Sequence, residues 1–169
     1  QHSNNELRCG SPDWQWVPEL VPLSGEPLIH KQFNSSFEQT GLDDELARLG
    51  ATHITLAGAA TNWCIRATAY GALDRGYDRT LVKDAHTTST MQLDNGSKIE
   101  AAGVIQEFNI AMTWVSYPGR KNGTATAEEV LAGGQPVVMG DFGPEAAGTP
   151  VRGGTYRPGV TARRRPAGA

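Results

Sequence analysis

From about residue 27 to residue 117, short apolar runs of strand length alternate with longer segments whose apolar residues recur at helical spacing. Leu28-Ile29-His30, after Pro27, predicts a strand that ends at Lys31. Thr40 predicts a helix N-cap with Asp43 in the capping-box position, and Leu42, Leu46 and Leu49 carry that helix to a stop at Gly50. His53 to Ala57 predicts a second strand, closed by Gly58, and a helix is expected from about Cys64 to Arg75, stopping at Gly76. Thr80-Leu81-Val82 predicts a third strand ending at Lys83-Asp84. Residues 96–108, with Ile99, Val104, Ile105 and Phe108, predict another helix, and Met112 to Val115 a last strand.

Strands that alternate with helices of ten to twelve residues imply right-handed crossovers and a parallel sheet. The predicted class is therefore α/β, with the sheet covered by helices on both faces. In open sheets of this kind chemistry gathers beyond the carboxyl ends of the strands. Those ends are Lys31, the turn from Gly58 to Trp63, and Asp84. No internal repeat is present. The segment before Pro27, with Trp14 and Trp16, reads as a surface loop with aromatic anchors.

Composition adds limits. With 169 residues the chain is long enough for one domain with a buried core. A formal charge of -3 gives no reason to expect nucleic acid or an anionic membrane as partner. No apolar run approaches the roughly 20 residues needed to span a bilayer. Two cysteines, Cys9 and Cys64, make no disulfide framework, so a reducing cytoplasm is the simplest setting. The first residue is Gln1 rather than Met, which fits either a start inside a longer polypeptide or a processed terminus. Residues 133–169 hold 9 of the 20 glycines and 5 of the 10 prolines, and end near Arg163-Arg164-Arg165. Such a stretch buries too little apolar surface to offset its ordering entropy, so 132–169 is expected to be a disordered tail after a folded unit of 1–131.

The informative stretch is Gly58-Ala59-Ala60-Thr61-Asn62-Trp63-Cys64-Ile65-Arg66-Ala67-Thr68. A strand turns into a helix whose first residue is expected to be Cys64. Unpaired N–H groups and the positive dipole end of a helix favour a thiolate, and the same donors can hold an oxyanion. Cys64 is thus a candidate nucleophile. The competing reading is a small buried hydrophobe, which a free cysteine often is.

The run Gly58 to Thr68, followed by Gly71-Ala72, Gly76-Tyr77 and Asp84-Ala85-His86-Thr87-Thr88, resembles the active-site region of the isochorismatase-like cysteine hydrolases. His30-Lys31, Asn34-Ser35-Ser36-Phe37, Thr40 and Leu42 resemble that family's lysine segment, and Trp16-Val17-Pro18-Glu19-Leu20 is also similar. The likeness covers about residues 1–130. It implies a three-layer α/β/α, Rossmann-like sheet and an Asp–Lys–Cys triad in which Cys64 is the nucleophile and Lys31 the lysine. It also implies a non-proline cis peptide between Ala59 and Ala60, and an oxyanion hole from the N–H groups of Ala60 and Cys64. The implied activity is hydrolysis of a small amide or ureide through a thioester, by a homo-oligomer without a cofactor.

One position departs. The family's aspartate ends a first strand that would precede Gln1, and nothing in this sequence occupies that place. The nearest imitation, Asp141 after Pro136-Val137-Val138-Met139-Gly140, would need a rearranged topology, and Asp84 reads as a loop cap. The sheet is therefore expected to be incomplete, with uncovered strand edges. His2, His30, His53 and His86 lack metal-like spacing, so no metal is expected. Phe37, Trp63 and His86 are candidates for a substrate pocket, with core packing or structural hydrogen bonding as the alternative for each. Two rival readings stand: a catalytically inactive family member or assembly subunit, and an isochorismate-type vinyl-ether hydrolase, in which the cysteine is not required.

Overall fold

The computed structural model describes residues 7–133. Apart from residues 132 and 133 the predicted tail lies outside them, as do His2 and Asp141. In chain order the elements are α1 (Leu42–Arg48), β1 (His53–Ala59), α2 (Arg66–Asp74), β2 (Asp78–Thr87), β3 (Met91–Gln92), β4 (Lys98–Ile99), α3 (Ala101–Trp114), β5 (Asn122–Ala125) and α4 (Ala127–Leu131). β1, β2 and β5 form a parallel sheet in that order, and β3 and β4 form a small antiparallel hairpin. The parallel α/β architecture expected from the sequence is the one observed, with the sheet flanked by helices.

Both crossovers, through α2 and through α3, step the same way along the sheet, so right-handed connections bring them to one face. There Ile65 and Ala69 meet Leu81 of β2 and Phe108 and Met112 of α3 in a single buried cluster. α3 buries Val104, Phe108 and Met112, residues four apart on one helical stripe. This periodicity explains one failed expectation. Met112 to Val115 is not a strand but runs from the last turns of α3 to its C-cap, because Met112 continues the buried stripe. The third sheet strand is instead Asn122-Gly123-Thr124-Ala125, fully buried although nearly devoid of apolar side chains.

Two further expectations fail. Leu28-Ile29-His30 forms no strand, since an apolar run becomes one only when a neighbour completes its ladder, and none does among the described residues. Thr40 is not an N-cap of α1. Gly41 holds that place, while the Thr40 hydroxyl donates to the Ser36 carbonyl at 2.5 Å. β2 is also longer than its apolar centre, because Asp78 and Arg79 pair with His53 and Ile54, and Arg79 also with Asn122.

Arg79 is the largest fully buried side chain, and its charge shapes the start of the sheet. Its Nη2 donates to Asn122 Oδ1, whereas Nε and Nη1 have no hydrogen-bond partner among the described residues. Asn122 Nδ2 in turn donates to the carbonyls of Met112 (2.7 Å) and Val115 (2.9 Å) at the carboxyl end of α3. Burial pushes the Arg79 guanidinium down to about 10. The group still carries its charge at neutral pH, where the amide oxygen of Asn122 accepts from it.

β1 is the opposite case. It pairs with β2 along one edge, and no described strand pairs with the other. His53, Thr55, Ala57, Gly58 and Ala59 are exposed, and Ile54 and Leu56 only half-buried. Parallel strands are normally covered on both faces, so this one has an unfinished environment.

Candidate active site

The turn between β1 and α2 builds the site. Gly58 has φ of 117°, a conformation that L side chains rarely adopt, and stands where the β1–β2 register shifts. The Ala59–Ala60 peptide is cis, as the resemblance implied. Thr61–Ile65 then forms one wide π-type turn, in which the Ile65 N–H donates to the Ala60 carbonyl at 3.1 Å. Cys64 lies inside this turn. The regular helix begins two residues later at Arg66, not at the cysteine as the sequence pattern predicts.

His86 fixes the turn from below. Asn109 Nδ2 donates to the Lys83 carbonyl, leaving Asn109 Oδ1 to accept from His86 Nε2 at 2.9 Å. That tautomer leaves Nδ1 as acceptor for the Thr61 hydroxyl, also at 2.9 Å. The Thr88 hydroxyl donates to Asn62 Oδ1 at 2.6 Å. The motif after β2 is therefore a clamp on the cysteine turn.

A second clamp holds the lysine segment. The Ser36 N–H donates to Thr68 Oγ1 at 3.0 Å, and Thr68 Oγ1 donates to Ser36 Oγ at 3.1 Å. Gly71 permits the close approach, since a Cβ there would lie 3.1 Å from Phe37 and 3.2 Å from Ser35 Oγ. Asn34 is thereby brought to Cys64, whose Sγ donates to Asn34 Oδ1 at 3.9 Å. Lys31 Nζ donates to the carbonyls of Phe33 (2.9 Å) and Asn34 (3.0 Å), which fold its segment around the ammonium.

Cys64, Lys31, Asn34, Ala59 and Ala60 all line one cavity of about 750 Å³. Of the three predicted pocket residues, only Trp63 is among its walls. Phe37 is buried, stacked on Tyr77 at 6.1 Å beneath the Arg75 guanidinium, and is a core residue. His86 is buried by its two hydrogen bonds and by the edge of Phe108. The remaining walls come largely from the segment read as a surface loop, with Trp14, Trp16 and Asp13 in the cavity. Asp13 was not singled out by any motif; only its place beside Trp14 could have drawn attention to it. Asp84 accepts from the Ala127 N–H at 2.8 Å and so caps the start of α4. Among the described residues there is no group of three His, Cys, Asp or Glu side chains able to hold a metal, and no helix long and apolar enough to cross a membrane.

A cysteine in a strand-to-helix turn thus shares one cavity with a lysine from an earlier segment, on a parallel α/β sheet. The family model of the isochorismatase domain matches residues 1–115, and the chain belongs to the isochorismatase family. Solved structures agree. An isochorismatase from Pseudomonas putida KT2440 is 29% identical with a TM-score of 0.62, over 70% of this chain and 58% of that one. A cysteine hydrolase from Pseudomonas syringae pv. phaseolicola is 26% identical with a TM-score of 0.64, over 75% and 57%. An isochorismatase-like hydrolase from Alkaliphilus metalliredigens, at 22% identity and a TM-score of 0.62 over 83% and 67%, shares the fold. The chain thus spans less than two thirds of the length of the first two.

Proposed function

We propose that this chain carries the nucleophile half of a cysteine-dependent hydrolase acting on a small amide or ureide. The observation that carries the reading is the shared cavity of Cys64, Lys31, Ala59 and Ala60. In this reading the Cys64 thiolate attacks the carbonyl carbon, and the oxyanion rests on the N–H groups of Ala60 and Cys64. Collapse breaks the C–N bond as the leaving nitrogen takes a proton from solvent, and water then adds to the thioester, releasing the carboxylic acid and returning the Cys64 sulfur. Lys31 supports the nucleophile by holding the Phe33 and Asn34 carbonyls, which keeps Asn34 beside the sulfur.

No residue of this sequence matches the aspartate of the family's triad. Loss of a general base costs about 10²–10⁴ in rate, so the 169 residues alone are expected to turn over slowly or not at all. The rival reading, a fold kept without chemistry, is favoured by one observation: the Lys31 ammonium is engaged by two backbone carbonyls. Mass spectrometry after exposure to a panel of small amides distinguishes the two. An acyl adduct on Cys64, absent from Cys64→Ser, is the expected result. A thiol no more reactive than exposed Cys9 would refute the hydrolase reading.

A further inference from the structure

We infer that the non-reacting part of the substrate carries a positive charge, held by Asp13 and the indoles of Trp14, Trp16 and Trp63 in the cavity that contains Cys64. This inference rests on the hydrolase reading of the same cavity. Three of the chain's four tryptophans line it. Trp16 and Trp63 are 57% and 56% exposed, so both remain accessible to a ligand. Indole is the best of the aromatic faces for a cation, and a ring of such faces is a known solution for ammonium groups.

The charges sort in the same sense. Asp13 is the sole acid among the described residues of the cavity wall, and Lys31 the sole Lys or Arg. The Lys31 ammonium already donates to the carbonyls of Phe33 and Asn34. The Asp13 carboxylate makes no hydrogen bond or ion pair among the described residues. The His30 ring lies against Trp14, centroids 5.4 Å apart, and both residues belong to the wall. An apolar ligand would satisfy the tryptophans and leave Asp13 unused; an anionic one would oppose it. An ammonium or guanidinium group satisfies both.

The test labels Cys64 in the full chain carrying Cys9→Ser, with methanethiosulfonates bearing a trimethylammonioethyl, a methyl or a sulfonatoethyl group. Each rate is normalised to the same reagent's rate with a small free thiol. The cationic reagent is expected to react about threefold to tenfold faster than the sulfonate, from one or two exposed cation–π contacts plus the carboxylate. Asp13→Asn is expected to reduce that preference, leaving the part supplied by the indoles. Preference for the sulfonate, no preference, or a preference undiminished by Asp13→Asn would overturn the inference. A second measurement needs no reactive thiol: tryptophan fluorescence of Cys64→Ser, titrated with choline and with its uncharged isostere 3,3-dimethylbutan-1-ol. Choline is expected to bind at least about threefold more tightly; equal affinities would overturn the cation subsite. A thiol inert to all three reagents would count against the hydrolase reading, while the choline titration still decides the charge.

Discussion

Arg79 and Asn122 are expected to respond to substitution with opposite signs. Depressing the Arg79 guanidinium to about 10 by burial corresponds to a cost on the order of 3 kcal/mol for keeping its charge inside. Asn122 offsets part of that cost, since its Oδ1 accepts from Arg79 and its Nδ2 satisfies the Met112 and Val115 carbonyls. Asn122→Ala removes the acceptor and frees both carbonyls while the buried cation stays, so the loss is put at about 3–5 kcal/mol. At roughly 4 °C per kcal/mol for a domain of this size, the midpoint should fall by about 12–20 °C. Arg79→Met removes the charge with little change in volume and orphans only one neutral oxygen. Its effect should lie between neutral and a gain of about 2 kcal/mol. Thermal and urea unfolding of the purified variants measure both. The reasoning is refuted if Arg79→Met costs as much as Asn122→Ala, or if Asn122→Ala is silent.

Other expectations concern the site and the unfinished sheet. His86→Ala should cost about 2–4 kcal/mol, because the buried Thr61 hydroxyl and the Asn109 amide lose their partner. It should also alter the rate of Cys64 alkylation; an unchanged melt and unchanged rate would show that the clamp is idle. Lys31→Met should change the rate of Cys64 alkylation, because the ammonium holds the Phe33 and Asn34 carbonyls and Asn34 Oδ1 accepts from the sulfur; an unchanged rate would contradict this. The uncovered β1 should drive self-association, visible by light scattering and reduced by Thr55→Lys or Ala57→Lys. A monodisperse, cooperatively melting monomer would sink that expectation.

The chemistry-bearing turn was readable in the chain because its cause is local. Gly58 must take a positive φ, the residues after it leave the strand, and a cysteine falls in the turn whatever lies elsewhere. The alternation of β1, α2 and β2 is likewise written in short-range apolar spacing, and so is the α/β class. Elements held by distant partners were not readable. Asn122–Ala125 is a strand through its ladder to β2 rather than through its own side chains. The converse is Leu28–His30, which has the composition of a strand and no neighbour to make it one. Phe37 and His86 show the same division at the site. Their residue types suit a pocket, yet Gly71 draws Phe37 into the core, and Asn109, twenty-three residues on, holds His86 beneath the turn. Asp13, Trp14 and Trp16 carry no periodic signal, and only tertiary folding turns that loop into a wall facing Cys64. Spacing along the chain determined which residues could react and the class of fold that holds them. Which side chains surround the sulfur depended on contacts between distant segments, and those are set by packing and backbone pairing rather than by any local pattern.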